Sequence, residues 1–142
     1  VAFEELLQRS DVVFPLAPST PETFDLIDTD ALAQMKPGSV LINVSRGELV
    51  DESALVAALE SGHLRGAGLD VGRAPDQRPS TFVAERPDVV ATPHLGGLTP
   101  ENADAQARSS VEQIAAMLEG RVPPRAVNAD RAVRFERWLT DW

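Results

Sequence analysis

The amino-acid sequence predicts an α/β protein built on a parallel β-sheet. Short apolar runs, with the length and β-branched residues of buried strands, alternate along the chain with stretches of helical periodicity. Four such strands, separated by helices or long connections, favour a parallel sheet, because each parallel connection must cross back over a face of the sheet. The run at residues 39–44 is apolar on both faces, as a central parallel strand should be.

The first half of the chain predicts two helices and two strands in alternation. The segments are a helix at residues 3–9, a strand at 11–16, a helix at 28–35 and a strand at 39–44. A Pro-rich loop at residues 17–23 joins the first strand to the second helix, for which Asp28 or Thr29 is a suitable N-cap. The Lys-Pro-Gly sequence at residues 36–38 predicts a turn before the next strand.

The second half continues the alternation and ends in longer helices. The segments are a helix at residues 51–61, a strand at 66–71, a loop at 72–80, a strand at 88–92, a long helix at 99–118 and a final helix at 130–142. Gly62 suits the position after the helix at 51–61. Thr99 is the expected N-cap of the long helix and Pro100 its first residue. The final helix carries Phe135 and Trp138.

The composition excludes several classes of protein. The 142 residues carry 13 Lys and Arg against 22 Asp and Glu, a formal charge of −9, which disfavours binding to nucleic acid or to an anionic membrane. The absence of cysteine excludes disulfides, thiolate metal sites and a cysteine nucleophile. No apolar run approaches the roughly 20 residues of a membrane span, and the first residues do not resemble a signal peptide. We therefore expect a cytoplasmic protein that binds neither membrane nor nucleic acid.

Functional residues are expected in the loops after the strands, because ligands of parallel α/β sheets bind at the carboxyl ends of the strands. Arg46 follows the strand at residues 39–44 directly and can present a planar fork to a carboxylate. Gly47 allows a sharp turn there. The alternative is a surface arginine, or one paired with Glu48 or Asp51.

His94 is the second candidate, because it lies just past the strand at residues 88–92. Its unperturbed pKa near 6.5 suits proton transfer at neutral pH. The alternative is a histidine that only completes a turn. The other histidine, His63, lies at a helix C-terminus and is interpreted as structural. Asp70, at the end of a further strand, is expected either to bind a ribose or amide or to cap a loop.

Four motifs resemble those of one family, and they occur in that family's order. They are MKPGSVLINVSRGELVDE at residues 35–52, GAGLDV at 66–71, TPHLGGLTPE at 92–101, and DVV at 11–13 with PSTPET at 18–23. This set resembles the D-isomer-specific 2-hydroxyacid dehydrogenases. The resemblance covers about residues 1–128 and implies the second half of a doubly wound, Rossmann-type NAD(P)-binding domain. Residues 129–142 would be a C-terminal helical tail.

The resemblance implies a reaction and a role for each matching residue. In this family a hydride moves between NAD or NADP and the C2 atom of a 2-hydroxy or 2-oxo acid. Arg46 matches the arginine that binds the substrate carboxylate, and His94 matches the general acid/base. The positions that match the family's cofactor-binding loops are Ala17, Pro18, Val44, Ser45, Arg46, Asp70, His94, Gly96 and Gly97. Family members are usually dimers, which implies a homodimer.

The sequence departs from the family at the acidic partner of the catalytic histidine. That acid lies five positions after the aspartate matched by Asp70, and Pro75 occupies this position here. Asp76 supplies the carboxylate if the loop is shifted by one residue, and Glu85 is a more distant candidate. Without such a carboxylate the pKa of His94 should be lower and its orientation looser.

A larger departure concerns the phosphate loop. No Gly-x-Gly-x-x-Gly follows a strand in this chain, so the first half of the dinucleotide-binding domain and the substrate-facing domain are expected to lie outside it. The chain is therefore interpreted as a fragment with an exposed strand edge, which alone is expected to bind NAD weakly or not at all and to be inactive. The choice between NAD and NADP, and the identity of the acid, are not encoded in these residues.

Two other functions remain open. One is a non-catalytic NAD-binding protein of the same fold, similar to the family's transcriptional corepressors, which the proline at position 75 favours. The other is oxidation of formate or phosphite. The formate enzymes keep the arginine and histidine but usually carry glutamine in place of the acid, and Gln77 lies two positions away.

Overall fold

A computed structural model describes residues 1–129 of the chain. These residues fall into two compact units, Val1–Gly96 and a second that begins at Gly97. The predicted tail helix at residues 130–142 lies outside the described residues. Among the helices that are described, none is both long and apolar enough to cross a membrane.

The first unit is a parallel sheet with flanking helices. Its strands are β1 (Val12–Val13), β2 (Val40–Asn43), β3 (Gly66–Leu69) and β4 (Val89–Ala91). Its helices are α1 (Phe3–Arg9), α2 (Thr29–Gln34), α3 (Glu52–Glu60) and α4 (Thr81–Ala84), with a single 3₁₀ turn at Gly47–Leu49. In the second unit, the described residues 97–129 include the long helix α5 (Pro100–Leu118).

All neighbouring strands of the sheet pair in parallel, in the order β1-β2-β3-β4. Val40 of β2 is the register partner of Val12 on one side and of Gly66 on the other. Ala67 of β3 is the partner of Val89 in β4. The predicted parallel α/β architecture is confirmed. Because the strands are parallel, all four carboxyl ends lie along one edge of the sheet.

The core holds these strand ends in place by packing the helices against the sheet. Leu41 of β2, Leu7 of α1, Leu32 of α2 and Leu55 of α3 are all 1% exposed or less and belong to one apolar cluster. Burial of one such side chain contributes about 1.5–3 kcal/mol. The strand ends therefore form a rigid base for the loops that follow.

Side-chain caps fix where the helices begin. Asp28 accepts a hydrogen bond from the backbone N of Ala31 at 2.9 Å, so Asp28 and not Thr29 is the N-cap of α2. Asp51 caps α3 in the same way, and Thr99 caps α5 with Pro100 as its first residue. A cap of this kind contributes about 1 kcal/mol.

The strands are shorter than predicted. β1 ends at Val13, although the prediction extended to residue 16, because Pro15 has no N–H for the ladder. β3 ends at Leu69 because the following residues turn into the site loop. The helix α4 was not predicted, since its four residues are too few to show a periodicity.

Candidate active site

The predicted site residues of the first unit come from loops at the carboxyl edge of the sheet. Arg46 follows β2, Asp70 follows β3 and His94 follows β4. Neighbouring strands lie about 4.8 Å apart, so β2 and β4, which flank β3, are about 10 Å apart. The loops that carry Arg46 and His94 thus lie on either side of Asp70, at the same edge.

A buried amide fixes the turn that carries Arg46. Asn43, which is 1% exposed, donates from Nδ2 to the Arg46 carbonyl at 2.8 Å and accepts from the Ser45 N–H at 3.1 Å. The Ser45 hydroxyl donates to the Ala17 carbonyl at 3.3 Å, which joins this turn to the loop after β1. An amide side chain can make both bonds because it has a donor and an acceptor.

The guanidinium of Arg46 is directed to solvent. The side chain is exposed, and its Nη1 donates to the Ser45 carbonyl at 2.7 Å. Within residues 1–129 no carboxylate pairs with it, so the structure does not contain the pairing with Glu48 or Asp51 that the sequence left open. Arg46 therefore has donors available for an anion at the edge of the sheet.

The following residue, Gly47, lies against the backbone of Gly72. A Cβ atom on Gly47 would overlap the carbonyl of Gly72, and a Cβ on Gly72 would overlap the backbone of Pro79. Neither glycine is required by a positive φ here; both are required by close approach of the two loops. The turn after β2 is thus packed directly on the loop after β3.

Asp70 holds the loop that carries His94. Its carboxylate, 7% exposed, accepts from the Thr92 hydroxyl at 2.5 Å and from the N–H groups of Leu95 and Gly96 at 2.8 Å each. Burial alone would raise the pKa of the Asp70 carboxyl. The three hydrogen bonds and the nearby charge of His94 outweigh burial, so the pKa lies below its ordinary value.

His94 itself has a left-handed backbone conformation, with φ of +58°. This region costs roughly 1–2 kcal/mol for a residue other than glycine and persists only where its surroundings impose it. The bonds of Asp70 to both sides of His94, at Thr92 and at Leu95, impose it here. Asp70 is thus the residue that sets the path of the histidine loop, which agrees with the loop-capping alternative for Asp70.

The structure does not bring Asp76 into hydrogen-bond contact with His94. The Asp76 carboxylate accepts from the backbone N of Arg78 at 3.3 Å and pairs with its Nε at 3.1 Å. Glu85 is exposed, and none of the described side-chain hydrogen bonds involves it. Neither candidate carboxylate therefore forms a hydrogen bond with His94 in the described structure, whereas Asp70 bonds to the histidine loop.

Sequence reasoning missed Asn43, Thr92 and Glu52. Glu52 is 5% exposed, and its Oε1 accepts from the backbone N of Arg73 and of Ser80 at 3.2 Å each, which fixes both ends of the loop between them. A polar residue at the end of an otherwise apolar strand is the signal that identifies Asn43.

A cleft of about 500 Å³ opens beside Arg46. Its lining consists of Leu16, Ala17, Pro18, Ser19, Ser45 and Arg46. The cleft includes three of the predicted cofactor-binding positions beside Arg46, namely Ala17, Pro18 and Ser45. The chain has no glycine-rich loop of the kind that binds a pyrophosphate.

The other predicted cofactor positions are distributed between the two units. Gly96 donates its N–H to Asp70, and Val44 is exposed at the end of β2. Gly97 opens the second unit. As for metals, residues 1–129 contain no group of three or more His, Asp or Glu side chains placed to hold an ion.

Relatives of known activity resemble most of the chain. It is 44% identical over 142 residues to the D-3-phosphoglycerate dehydrogenase of Mycobacterium leprae (strain TN), covering 98% of this chain and 27% of that protein. It is 41% identical over 125 residues to the glyoxylate/hydroxypyruvate reductase B of Serratia proteamaculans (strain 568), and this match covers 88% of this chain and 38% of that protein. The chain thus spans about a quarter to two fifths of the length of these relatives.

Solved structures share the fold. The apo form of Rhodotorula graminis D-mandelate dehydrogenase matches with a TM-score of 0.80 at 37% identity, over 87% of this chain and 36% of that one. Residues 1–96 match the sequence profile of the D-isomer specific 2-hydroxyacid dehydrogenase, NAD binding domain. The chain belongs to the D-isomer-specific 2-hydroxyacid dehydrogenase family, of which it carries part of the NAD-binding domain.

Proposed function

We propose that this chain supplies the catalytic half of an NAD- or NADP-dependent oxidoreductase that interconverts a D-2-hydroxy acid and the corresponding 2-oxo acid. The observation that carries the proposal is the placement of Arg46 and His94 after β2 and β4, at one edge of one parallel sheet. Family membership makes a hydride-transfer reaction the first expectation, and these two side chains supply what that reaction needs from the protein.

Arg46 binds the carboxylate of the acid. Its guanidinium is exposed and carries donors in a rigid fork, which matches a carboxylate in a bidentate arrangement. This contact orients C2 of the acid and polarises its oxygen. The backbone that holds Arg46 is itself fixed by buried Asn43, so the cation is presented at a defined position.

His94 exchanges the proton at the C2 oxygen. In the direction of reduction the imidazolium donates a proton to that oxygen, and in oxidation the neutral imidazole accepts it. The carboxylate of Asp70 accepts hydrogen bonds from the Thr92 hydroxyl and the Leu95 N–H, on either side of His94, so it holds the loop that presents the imidazole.

The cofactor, when bound, supplies or accepts the hydride. We assign its nicotinamide end to the cleft beside Ala17, Pro18 and Ser45, with Val44, Asp70, Gly96 and Gly97 as further contacts. The pyrophosphate-binding glycines and the selection between NAD and NADP are assigned to parts of the protein outside this chain. A homodimer remains our expectation for the complete protein, and sedimentation velocity tests it.

Asp76 remains a candidate carboxylate partner of His94. For this role the Asp76 carboxylate must release Arg78 and bind His94 when the substrate binds. The Asp76→Asn variant decides the question, because a functional partner shifts the pH profile of kcat/KM. An unchanged profile leaves Asp70, whose carboxylate bonds to the His94 loop, as the remaining carboxylate of the site.

The experiment that tests the proposed function measures oxidation of NADH and NADPH by the complete protein with glyoxylate, hydroxypyruvate and pyruvate. Arg46→Lys should raise the KM for the oxo acid, and His94→Asn should lower kcat by about 10²–10⁴-fold, the usual contribution of a general acid. His63→Asn is the matched control, since it changes the other histidine of the chain, and we expect it to leave the kinetics unchanged.

Three outcomes separate the alternatives. Turnover that both substitutions leave unaltered contradicts the assigned roles. Turnover of formate or phosphite, with none of any 2-oxo acid, assigns the protein to that sister activity. Cofactor binding without any turnover supports the non-catalytic alternative.

A further inference from the structure

The loop after β3 departs from the family motif, and its arginine makes a junction between three segments. The Arg73 guanidinium pairs with the Asp25 carboxylate and donates from Nη2 to the Glu48 carbonyl at 3.3 Å. It also lies over the ring of Phe24, 4.7 Å from the centroid. Arg73 therefore joins the loop before α2, the 3₁₀ turn after β2 and the loop after β3.

The Glu48 carbonyl is the point where these contacts meet. It accepts from Arg73 and also from the backbone N of Asp25, at 2.9 Å. Glu48 lies two residues after Arg46, in the 3₁₀ turn that Arg46 precedes. A shift of this carbonyl would therefore also move the backbone of Arg46.

Two further contacts hold the Arg73 loop in place. Buried Glu52 accepts from the backbone N of Arg73, and Gly47 packs on Gly72 without room for a Cβ atom. Asp25, the anionic partner of Arg73, has a φ of +56°, a strained conformation that the junction maintains. The loop is thus a built connection to the turn of Arg46, although it places no carboxylate on His94.

We propose that Arg73 is a positioning residue, which fixes the direction of Arg46 by clamping the backbone of residues 46–50. This inference rests on the proposed function for Arg46. The exposed Arg46 side chain makes no ion pair among the described residues, so its direction has to come from its backbone. Asn43 fixes that backbone on the strand side, and the Arg73 junction fixes it on the other side.

The planar guanidinium is suited to this task. It donates in two directions while its face stacks on an aromatic ring, and a lysine ammonium cannot reproduce that combination. If Arg73 only stabilised the fold, its loss should have the same effect as the loss of any other ion pair of similar strength. The test must therefore separate an effect on Arg46 from a general loss of stability.

Arg86 provides the matched control. It is also an arginine between two acids, with Asp88 at 2.9 Å and Glu60 at 3.1 Å, and it is 17% exposed against 28% for Arg73. It makes no contact with the turn of Arg46 in the described structure. Arg86→Ala should therefore remove a comparable ion pair and leave the position of the Arg46 turn unchanged.

The first readout is hydrogen exchange of the complete protein, because it does not depend on activity. The amides of Leu49 and Val50 are hydrogen-bonded within the turn of Arg46. Arg73→Ala should accelerate their exchange at least tenfold, while Arg86→Ala should leave it within about twofold of wild type. Equal acceleration in both variants, or none in Arg73→Ala, overturns the proposal.

Asp25→Asn is the second variant, in case Arg73→Ala does not fold. Asparagine tolerates a positive φ, so this change removes the charge and keeps the backbone conformation. It should accelerate the same amides in the same direction by a smaller factor. Unchanged exchange in this variant likewise overturns the proposal.

The second readout is kinetic coupling to Arg46. Arg73→Ala should raise the KM for the 2-oxo acid about tenfold and change the KM for the reduced cofactor by less than twofold. In an Arg46→Ala background, Arg73→Ala should have almost no further effect, because its action passes through Arg46. Independent, multiplicative effects overturn the proposal. If the wild type reduces no 2-oxo acid, the proposed function fails, and the exchange measurement still decides whether Arg73 positions the turn.

Discussion

The replacement Asp70→Asn tests whether one carboxylate shapes the histidine loop. Asparagine keeps one acceptor oxygen, which can face the Thr92 hydroxyl and the Leu95 N–H, but its NH₂ group then faces the N–H of Gly96. The variant loses one hydrogen bond to a charged acceptor, about 1.5–3 kcal/mol, and leaves a donor unpaired. We expect a loss of about 2–4 kcal/mol in the free energy of unfolding.

Urea denaturation of the complete protein measures this loss. At an m-value of about 2 kcal/mol/M, the midpoint should fall by about 1–2 M, provided that the transition is two-state. Hydrogen exchange should accelerate at the amides of Leu95 and Gly96, while the α3 amides of Leu55 and Leu59 keep their relative protection. Unchanged stability, with unchanged exchange at Leu95 and Gly96, would refute the role assigned to Asp70.

Three further predictions concern the same edge of the sheet. Thr92→Val removes the hydroxyl at nearly constant volume and should cost about 1–2 kcal/mol in urea denaturation, whereas Thr92→Ser should cost less. Gly47→Ala should lower the free energy of unfolding by about 3 kcal/mol or more and reduce the soluble yield, because its Cβ overlaps the Gly72 backbone. A soluble variant with the stability of the wild type would contradict this packing. Because the folded pKa of Asp70 lies below its ordinary value of 3.8, its stabilisation is present above that pH and lost as the pH falls through the folded pKa. The stability difference between wild type and Asp70→Asn should therefore be constant near neutrality and shrink in acid titrations.

The sequence predicted the architecture because the signals for it are local. Alternating apolar runs and helical periodicities placed the four strands and α1, α2, α3 and α5 close to their observed positions. The predicted strands were longer than the observed ones. An apolar residue such as Phe14 favours a strand in the sequence, although the next residue, Pro15, interrupts the hydrogen-bond ladder. Phe14 is 50% exposed at the sheet edge that β1 forms.

The sequence pointed to candidate site residues only where a residue type carries its own chemistry. Arg46 and His94 are conspicuous because a cation and an imidazole come shortly after apolar runs that predict strands. Several of the bonds that hold their loops join residues 20 to 50 positions apart, such as Thr92 with Asp70 and Arg73 with Asp25. Such contacts have no periodicity or spacing of their own, so they emerge only when the chain is folded.

Pro75 occupies the position at which the resemblance to the family implies an acidic partner for His94, and Asp70 is the described carboxylate that bonds to the His94 loop. A carboxylate next to a catalytic histidine has two tasks, to favour the imidazolium and to fix the ring's position. Asp70 is a buried carboxylate that fixes the backbone on both sides of His94. If this support suffices, Asp70→Asn should shift the alkaline limb of the kcat/KM profile for reduction, where the general acid loses its proton, while Asp76→Asn leaves that limb in place. The opposite ranking would mean that the loop of Asp76 rearranges to reach His94 when the substrate binds.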